Sequence, residues 1–468
     1  MRPILAPHSP LRREGRRKEI HGVSFWRRRL PHGHWRSLLP LQQDQPEKDQ
    51  PEHNFQHQWD SHQSLWEQAQ KLAAENDLSP YETGNYTAEY ALTEFLAGPA
   101  APYYDAHDNH KLVFPMGDQK EAICEFQHHR NGSHHFPHSM QQLLRCFSWW
   151  QANPHQTPVL LFDREKLVKQ KAKFVLGFLR LLQDAFGVSI VRHKNTTTIA
   201  KSVYTLTEGR NPVRRSKRRG ILKDQNRIYY QMRSTQDAQQ LRQGLLQHYP
   251  NITTSHAGCG SSVPKIGILN RQCKDHTCSK GSGRRIQNRP AISSAIKKAL
   301  LPHSNNNSNN TNNNPIHYLS SFDGMSFLEQ VTFMSNIDIL ISPHGAQLTG
   351  SAFLPSCGGI LELFPRGYHF PDFFGTLAAA TGHFHRSIYT GRHANRTRDV
   401  DYFSSTPALR KQTRLQPVHA HPPMVALAVR ELMVQWQSCC QQTRTTTTTT
   451  TQTTTAASVV QQITPQTL

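Results

Sequence analysis

A turn that follows an apolar run in the second half of the chain has the residue types of a phosphate-binding site. The run Ile337–Ile341 is typical of a buried strand, and it leads through Ser-Pro into His344, Gly345 and Ala346. A strand that feeds a glycine and then a helix directs free backbone N–H groups and the positive end of the helix dipole at a ligand. Gly345 permits close approach of the backbone, and the ring of His344 can donate to a phosphoryl oxygen. We therefore predict a short helix over residues 345–354 that receives a phosphate, while a turn that serves only packing is the alternative.

Three further charged residues occur at predicted strand ends of the same region. Glu362 lies within the apolar sequence Leu-Glu-Leu-Phe-Pro, where an acidic residue is unusual unless it has a partner. In doubly wound folds, ligands bind beyond the carboxyl ends of the strands, and an acid there can bind the ribose hydroxyls of a nucleotide. Arg271 ends another predicted strand and Arg285 follows it, so that two guanidinium groups can bind a diphosphate. Together with the turn at Gly345, these residues predict a pocket for a nucleoside diphosphate.

The apolar pattern places these motifs in an α/β fold. From residue 131, a helix, a strand, a helix closed by Gly187 and a second strand follow one another, and the same alternation returns from residue 264 to residue 389. Within the second stretch, Ser326 and Glu329 form the capping-box signature of a helix start. Strands and helices that alternate through short connections favour parallel sheets covered by helices. We predict two Rossmann-like α/β lobes, at residues 85–262 and 263–440.

Composition indicates that polar segments surround this core. Lys and Arg number 54 against 33 Asp and Glu, a net charge of +21, and only 36% of residues are hydrophobic. Residues 1–84 are basic and Gln-rich without a helical or strand period, residues 305–314 are an Asn-rich insert, and residues 441–468 are rich in Thr and Gln; we predict disordered tails and a disordered insert. The basic run 214–219 suits either a nuclear-localisation patch or a solvated loop. No apolar run approaches the roughly 18–20 residues needed to cross a membrane.

Residues 326–365 closely resemble the signature of glycosyltransferase family 61, which includes plant xylan xylosyl- and arabinosyltransferases and the EGF-domain-specific O-GlcNAc transferase. The motifs that carry the resemblance are Ser-Phe-Leu-Glu-Gln-Val, Ile-Ser-Pro-His-Gly-Ala-Gln-Leu-Thr and Leu-Glu-Leu-Phe-Pro. It extends to residues 266–271 and, more weakly, to residues 134–138 in the first lobe. The resemblance implies a GT-B-like fold, a UDP-sugar donor, and inverting transfer that needs neither a metal nor a cofactor. The sequence departs from the family at Gln347 and Gly350, where Gly and Asn are usual.

Sugar transfer assigns roles to the residues that match the family. The leaving UDP needs charge stabilisation, for which Arg271, Arg285 and the backbone at Gly345 and Ala346 are candidates. We expect His344 to act at the leaving group. The acceptor hydroxyl needs a base on the opposite face, and the candidates from the first lobe are His135 and His138.

Two motifs have the spacing of metal ligands, but neither has the sequence context that a metal site requires. Asp399 and Asp401 have the Asp-x-Asp spelling of metal-dependent glycosyltransferases, but they follow a polar stretch and not a strand. Cys273 and Cys278 lack a second pair at zinc spacing, so that a loop disulfide or free thiols are expected. We therefore predict no metal site.

The resemblance also implies an acceptor and a compartment. We expect a glycan or glycoprotein acceptor, no nucleic-acid partner, and a location in the Golgi or endoplasmic reticulum lumen. Glycosylation sequons at Asn131, Asn195 and Asn251 fall in predicted loops. No signal peptide or anchor is visible in the sequence, and we expect membrane association only if an anchor is missing from it. A non-catalytic family member and a basic nucleic-acid-binding protein remain the alternatives.

Overall fold

The structure is a computed structural model, and it describes part of the chain. The described residues are 67–76, 94–97, 120–125, 136–162, 173–192, 204–205, 230–252, 258–260, 263–271, 283–300, 315–365, 368, 372–390 and 414–460. The helices, strands and contacts of the protein are described over these ranges.

Helices and strands alternate along most of the described chain, as predicted. The helices are α1 (residues 67–75), α2 (Phe136–Ala152), α3 (Lys173–Phe186), α4 (Thr235–His248), α5 (Arg289–Leu300), α6 (Phe327–Ser335), α7 (Asp372–Thr381) and α8 (Pro422–Val460), with a 3₁₀ helix, η1, at Ala346–Phe353. The strands are β1 (Glu94–Ala97), β2 (Glu121–Glu125), β3 (Thr157–Phe162), β4 (Ser189–Arg192), β5 (Tyr204–Thr205), β6 (Ile266–Leu269), β7 (Ile316–Leu319), β8 (Ile339–Pro343), β9 (Gly359–Phe364) and β10 (Phe384–Thr390).

The larger of two sheets has six strands in the order β1-β10-β9-β8-β6-β7. All its pairs are parallel except β1 with β10. Strands β8 and β9 are buried along their whole length, which explains their mostly apolar sequences. Because the strands run parallel, the carboxyl ends of β6, β8 and β9 lie at one edge, and the residues that follow them meet there.

The smaller sheet has four parallel strands in the order β4-β3-β2-β5. Helix α2 is joined to strand β2 by a disulfide between Cys124 and Cys146. Helix α3 ends at Gly187, whose φ of +63° is the left-handed conformation expected of a C-terminal cap. The predicted α/β class with parallel sheets is confirmed.

Aromatic side chains join the helices of the two sheets. Phe174 and Phe178 of α3 contact Phe327 at the start of α6, with ring centroids 5.0 and 6.5 Å apart. Both rings also pack on Phe353 of η1, at 6.2 and 6.1 Å. One apolar cluster therefore extends from the smaller sheet to the helix that follows β8.

The described structure differs from the predicted boundaries in two places before residue 100. Residues 67–75, within the predicted tail, form α1, and its Ala69, Leu72 and Ala73 are buried in the cluster that contains α5 and α8. Strand β1, within the predicted first lobe, pairs with β10 of the larger sheet. Neither segment has a long periodic sequence, and the structure of each depends on distant partners.

Helix α8 continues past residue 440, the predicted end of the second lobe. Cys440 forms a disulfide with Cys259, Cys439 forms one with Cys357, and Arg444 donates to the Cys259 carbonyl at 3.0 Å. These bonds attach the helix to the core beyond Trp436, and the helix runs through the Thr tract to residue 460. None of the described helices combines the length and the apolarity needed to cross a membrane.

Candidate active site

The turn after β8 has the predicted order of strand, glycine and helix. The reason for the glycine differs from a requirement of backbone conformation. Strand β8 ends at Pro343, and η1 begins at Ala346, so the predicted short helix is present as a 3₁₀ helix. The backbone N–H of His344 donates to the Leu363 carbonyl at 2.9 Å and holds the turn against β9. Gly345 has φ 170° and ψ 169°, which is extended backbone open to any residue. Backbone conformation therefore does not explain the glycine.

The glycine is explained by Arg271. A Cβ at position 345 would lie 2.4 Å from Nη1 of Arg271 and 3.1 Å from its Cζ. The same Nη1 donates to the His344 carbonyl at 3.3 Å. The absence of a side chain at residue 345 thus lets the Arg271 guanidinium lie on the turn, which places a positive charge beside the start of η1.

A second arginine at this site is Arg284, the neighbour of the predicted Arg285. Arg284 has a left-handed φ of 71°, and its guanidinium carbon lies 5.2 Å from the ring centroid of Tyr368. Arg414 approaches the same ring at 5.4 Å. Arg285 is exposed, and its backbone pairs with Val418. The structure therefore brings together Arg271, Arg284 and Arg414, and not Arg271 and Arg285.

Burial and the neighbouring positive charges lower the pKa values of Arg271 and Arg284. Burial, followed by the charges of Arg271 and Arg414, lowers the pKa of Arg284 to about 10. Burial also lowers the pKa of Arg271, and Arg414 adds to the effect. The buried Nε of Arg284 has no hydrogen-bond partner within the described part of the chain. A bound anion would offset both the repulsion and the unsatisfied donor, so the cluster has the chemistry of a phosphate or diphosphate site.

Glu362 lies beside this cluster and contacts two histidines. Its side chain is fully buried, Oε1 lies 2.5 Å from Nδ1 of His344, and Oε2 lies 3.0 Å from Nε2 of His385. Burial and the charge of Arg386 lower the pKa of His385 to about 3, so that its ring is neutral at physiological pH. Both oxygens of Glu362 contact histidine nitrogens, and the ribose contact predicted for this residue stays a prediction.

The ring of His344 lies among aromatic side chains. It stacks on Phe364 at a centroid distance of 5.0 Å, and it contacts Tyr368 at 5.1 Å and Phe373 at 6.3 Å. His138 of α2 packs against the same Phe373, with ring centroids 5.8 Å apart. A histidine from the first predicted lobe and the histidine of the turn are thus both in contact with one phenylalanine.

The departure from the family motif at Gln347 has a local explanation. Its side-chain amide donates to Ser342 Oγ at 2.7 Å and to the Leu269 carbonyl at 3.4 Å. Gln347 therefore ties the first turn of η1 to the ends of β8 and β6.

The remaining predicted residues divide into those that the structure describes and those that it does not. Asn251 is exposed in the loop after α4, as predicted for a glycosylation site. Outside the described residues lie His135, Asn131, Asn195, Cys273, Cys278, Asp399, Asp401, the basic run 214–219 and the insert 305–314. The functions predicted for them stay predictions.

Within the described ranges, one group of possible metal ligands comes together. Sγ atoms of Cys259, Cys357 and Cys440 lie within 4.8 Å of one another. All three form disulfides, two of them with each other and the third with Cys439, which leaves no thiolate for a metal. Cys259 precedes β6 and Cys357 precedes β9, so this group lies at the amino ends of these strands, whereas Arg271 and the turn at Gly345 follow carboxyl ends.

The site and the fold agree with a comparison to known families. A family model described as Glycosyltransferase 61 matches residues 126–361, which is half of the chain. The chain therefore belongs to glycosyltransferase family 61, and membership implies transfer of a sugar from a donor to an acceptor. The matched region includes β6, β8, η1 and the first half of β9, and with them Arg271, Arg284, His344 and Gly345. A comparison with curated proteins returned no match.

Sequence reasoning missed Arg284, Arg414, Tyr368 and His385. The only signal for Arg284 was its place beside Arg285. The other three come from separate segments whose meeting depends on the folded sheet.

Proposed function

We propose that the protein transfers a sugar of the xylose, arabinose or GlcNAc class from a UDP-sugar to a hydroxyl group of a glycan or protein, with inversion and without a metal. The arginine cluster beside the turn at Gly345 is the observation that carries this proposal. Arg271 and Arg284 supply fixed positive charge where a nucleoside diphosphate would leave, and neither guanidinium requires a metal to neutralise the phosphates.

The aromatic residues at the site fit the nucleotide-sugar as well as the diphosphate. Tyr368 lies against the guanidinium groups of Arg284 and Arg414, and its ring also contacts His344. We propose that His344 stabilises the leaving phosphate as charge develops there, and that the acceptor base is His138 or His135 from the other sheet. A GT-B-like closure of the two sheets would exclude water, which would otherwise hydrolyse the donor.

The disulfides support a proposed location in the lumen of the endoplasmic reticulum or Golgi. All six described cysteines are paired, in three disulfides. Disulfides form and persist in oxidising compartments and are rare in the cytosol. The exposed sequon at Asn251 is consistent with the same location.

The proposal is tested by UDP binding and by UDP release. Thermal shift with UDP, in EDTA and then with manganese, should show equal stabilisation in both conditions. UDP release from UDP-xylose, UDP-arabinose and UDP-GlcNAc, with and without acceptor, identifies the donor. A shift that vanishes in EDTA and returns with manganese would contradict the metal-free site. Absence of any UDP shift would contradict a UDP-sugar donor.

Arg284→Gln and Arg285→Gln form a matched pair for the arginine cluster. Loss of a charged hydrogen-bond donor costs about 1.5–3 kcal/mol, so Arg284→Gln should weaken UDP binding by about 10- to 150-fold. Arg285→Gln removes the same charge from an exposed neighbour and should change the dissociation constant less than about twofold. Equal losses in both variants would mean that the net charge of the segment, and not the cluster, attracts the nucleotide.

A further inference from the structure

A buried carboxylate that links two histidines requires an explanation beyond nucleotide binding. Glu362 is on β9, between β8 and β10, and has no exposed surface. Its two oxygens contact His344 at the end of β8 and His385 within β10. The three side chains therefore form a chain across three adjacent strands.

His385, on the outer of the three strands, has a defined protonation state and one donor nitrogen. Burial and Arg386 keep His385 neutral, and a neutral imidazole has one N–H donor. Its Nε2 is 3.0 Å from Glu362 Oε2, while its Nδ1 is buried with no partner in the described structure. The proton therefore belongs on Nε2, and His385 donates it to the carboxylate.

Contacts at both of its oxygens orient the carboxylate of Glu362. The last side-chain torsion of a glutamate is broad and roughly twofold, so a carboxylate bonded at one oxygen can turn about it. A donor fixed on β10 holds Oε2, and the plane of the carboxylate then directs Oε1 at His344. An N–H at Nδ1 of His344 satisfies that oxygen, which leaves Nε2 as the ring nitrogen opposite.

We propose that His385 and Glu362 are positioning residues, in which His385 fixes the plane of the Glu362 carboxylate and Glu362 fixes the orientation and the Nδ1–H tautomer of His344. This proposal rests on the proposed function for the role of His344 in transfer, but the geometry that it claims is measurable without turnover. Tyr230 and Arg284 also face Glu362, and Arg386 faces His385.

His383 provides a matched control. It lies two residues before His385, is buried to a similar extent, and its pKa is likewise lowered to about 3 by burial. Its ring bonds to Thr381 Oγ1 and to the Leu354 carbonyl, and not to Glu362. His383→Phe therefore reproduces the packing change of His385→Phe without removing a donor from the carboxylate.

The experiment uses the full chain and three variants: His385→Phe, His385→Gln and the control His383→Phe. Nitrogen NMR of histidine-labelled protein, with the His344 signals assigned through His344→Gln, reports the tautomer of His344. UDP release from UDP-GlcNAc, UDP-xylose and UDP-arabinose reports kcat and KM. Thermal unfolding reports whether each variant is folded.

His385→Phe should shift the His344 nitrogen signals away from the Nδ1–H tautomer and lower kcat by about 10²-fold, the effect of a small misplacement at a reacting centre, with KM changed less than about twofold. His385→Gln, whose amide can donate in place of Nε2, should restore the wild-type His344 signals and most of kcat. Equal effects of His385→Phe and His383→Phe, or unmoved His344 signals in His385→Phe, would overturn the proposal. If the wild-type protein turns over none of the three donors, that result contradicts the proposed function, and the NMR signals still decide the positioning role.

Discussion

A single methyl group at Gly345 should damage nucleotide binding through Arg271. The Cβ of Gly345→Ala would lie 2.4 Å from Nη1 and 3.3 Å from Cδ of Arg271, so the guanidinium must move. No backbone strain contributes, because φ at this residue is 170°. The displaced group would lose its bond to the His344 carbonyl and its alignment with the proposed diphosphate.

The magnitude follows from that one displaced charge. A hydrogen bond to a charged group contributes about 1.5–3 kcal/mol, which corresponds to an increase of about 10- to 150-fold in the dissociation constant of UDP. Isothermal calorimetry with UDP measures this directly. Gly350→Ala is the control, since a Cβ there would meet Met334 Cε at 3.2 Å and no charged group.

A double-mutant cycle isolates the mechanism. If Gly345→Ala acts by displacing Arg271, it should have little further effect when Arg271→Ala has already removed the guanidinium, and the two losses should be strongly non-additive. Full additivity of the two losses would refute the reasoning, because position 345 would then act on the ligand through another contact.

The remaining predictions concern the stability of the fold. His383 and His385 have pKa values of about 3 in the folded protein against 6.5 unfolded, so the unfolded chain binds more protons between these limits. Stability should hold above about pH 6.5 and fall as pH drops towards 3. His383→Gln should lower the slope of the unfolding free energy against pH, measured by urea titration, by about 1.4 kcal/mol per pH unit, which corresponds to one proton; equal slopes in the two proteins would contradict this. Replacing both Cys357 and Cys439 by serine opens a loop of 82 residues. The unfolding free energy from urea titration should then fall by about 2–5 kcal/mol. An unchanged free energy would show that the disulfide does not form.

The sequence was sufficient for the elements with strong local signals. Strands β8 and β9 have mostly apolar sequences, and α6 is capped at Ser326 with both hydrogen bonds of the predicted capping box. The turn after β8 was predictable because a strand, a glycine and a helix follow one another within a few residues. The family match then confirmed the resemblance that these same residues carry.

Other features depend on distances that a linear pattern does not contain. Arg284 and Arg285 are adjacent, and the left-handed backbone at Arg284 breaks the simple alternation of side chains along an extended segment. The sequence therefore did not indicate which of the two arginines lies in the site. Strand β1 has four residues, and its place beside β10 depends on a partner almost 300 positions away. Cysteine pairing likewise follows from the fold, because connectivity cannot be deduced from the sequence alone.

The adjacent cysteines of α8 impose an order on biosynthesis. Cys439 and Cys440 come after every described strand in the chain, whereas their partners lie between strands, Cys259 before β6 and Cys357 before β9. Neither bond can form until the ribosome has completed both sheets. At that moment two neighbouring thiols meet two partners whose Sγ atoms are 3.8 Å apart, so the exchanged pairing is nearly as accessible as the native one. Correct maturation should therefore depend on disulfide isomerisation late in synthesis, after the strands around the site are already in place.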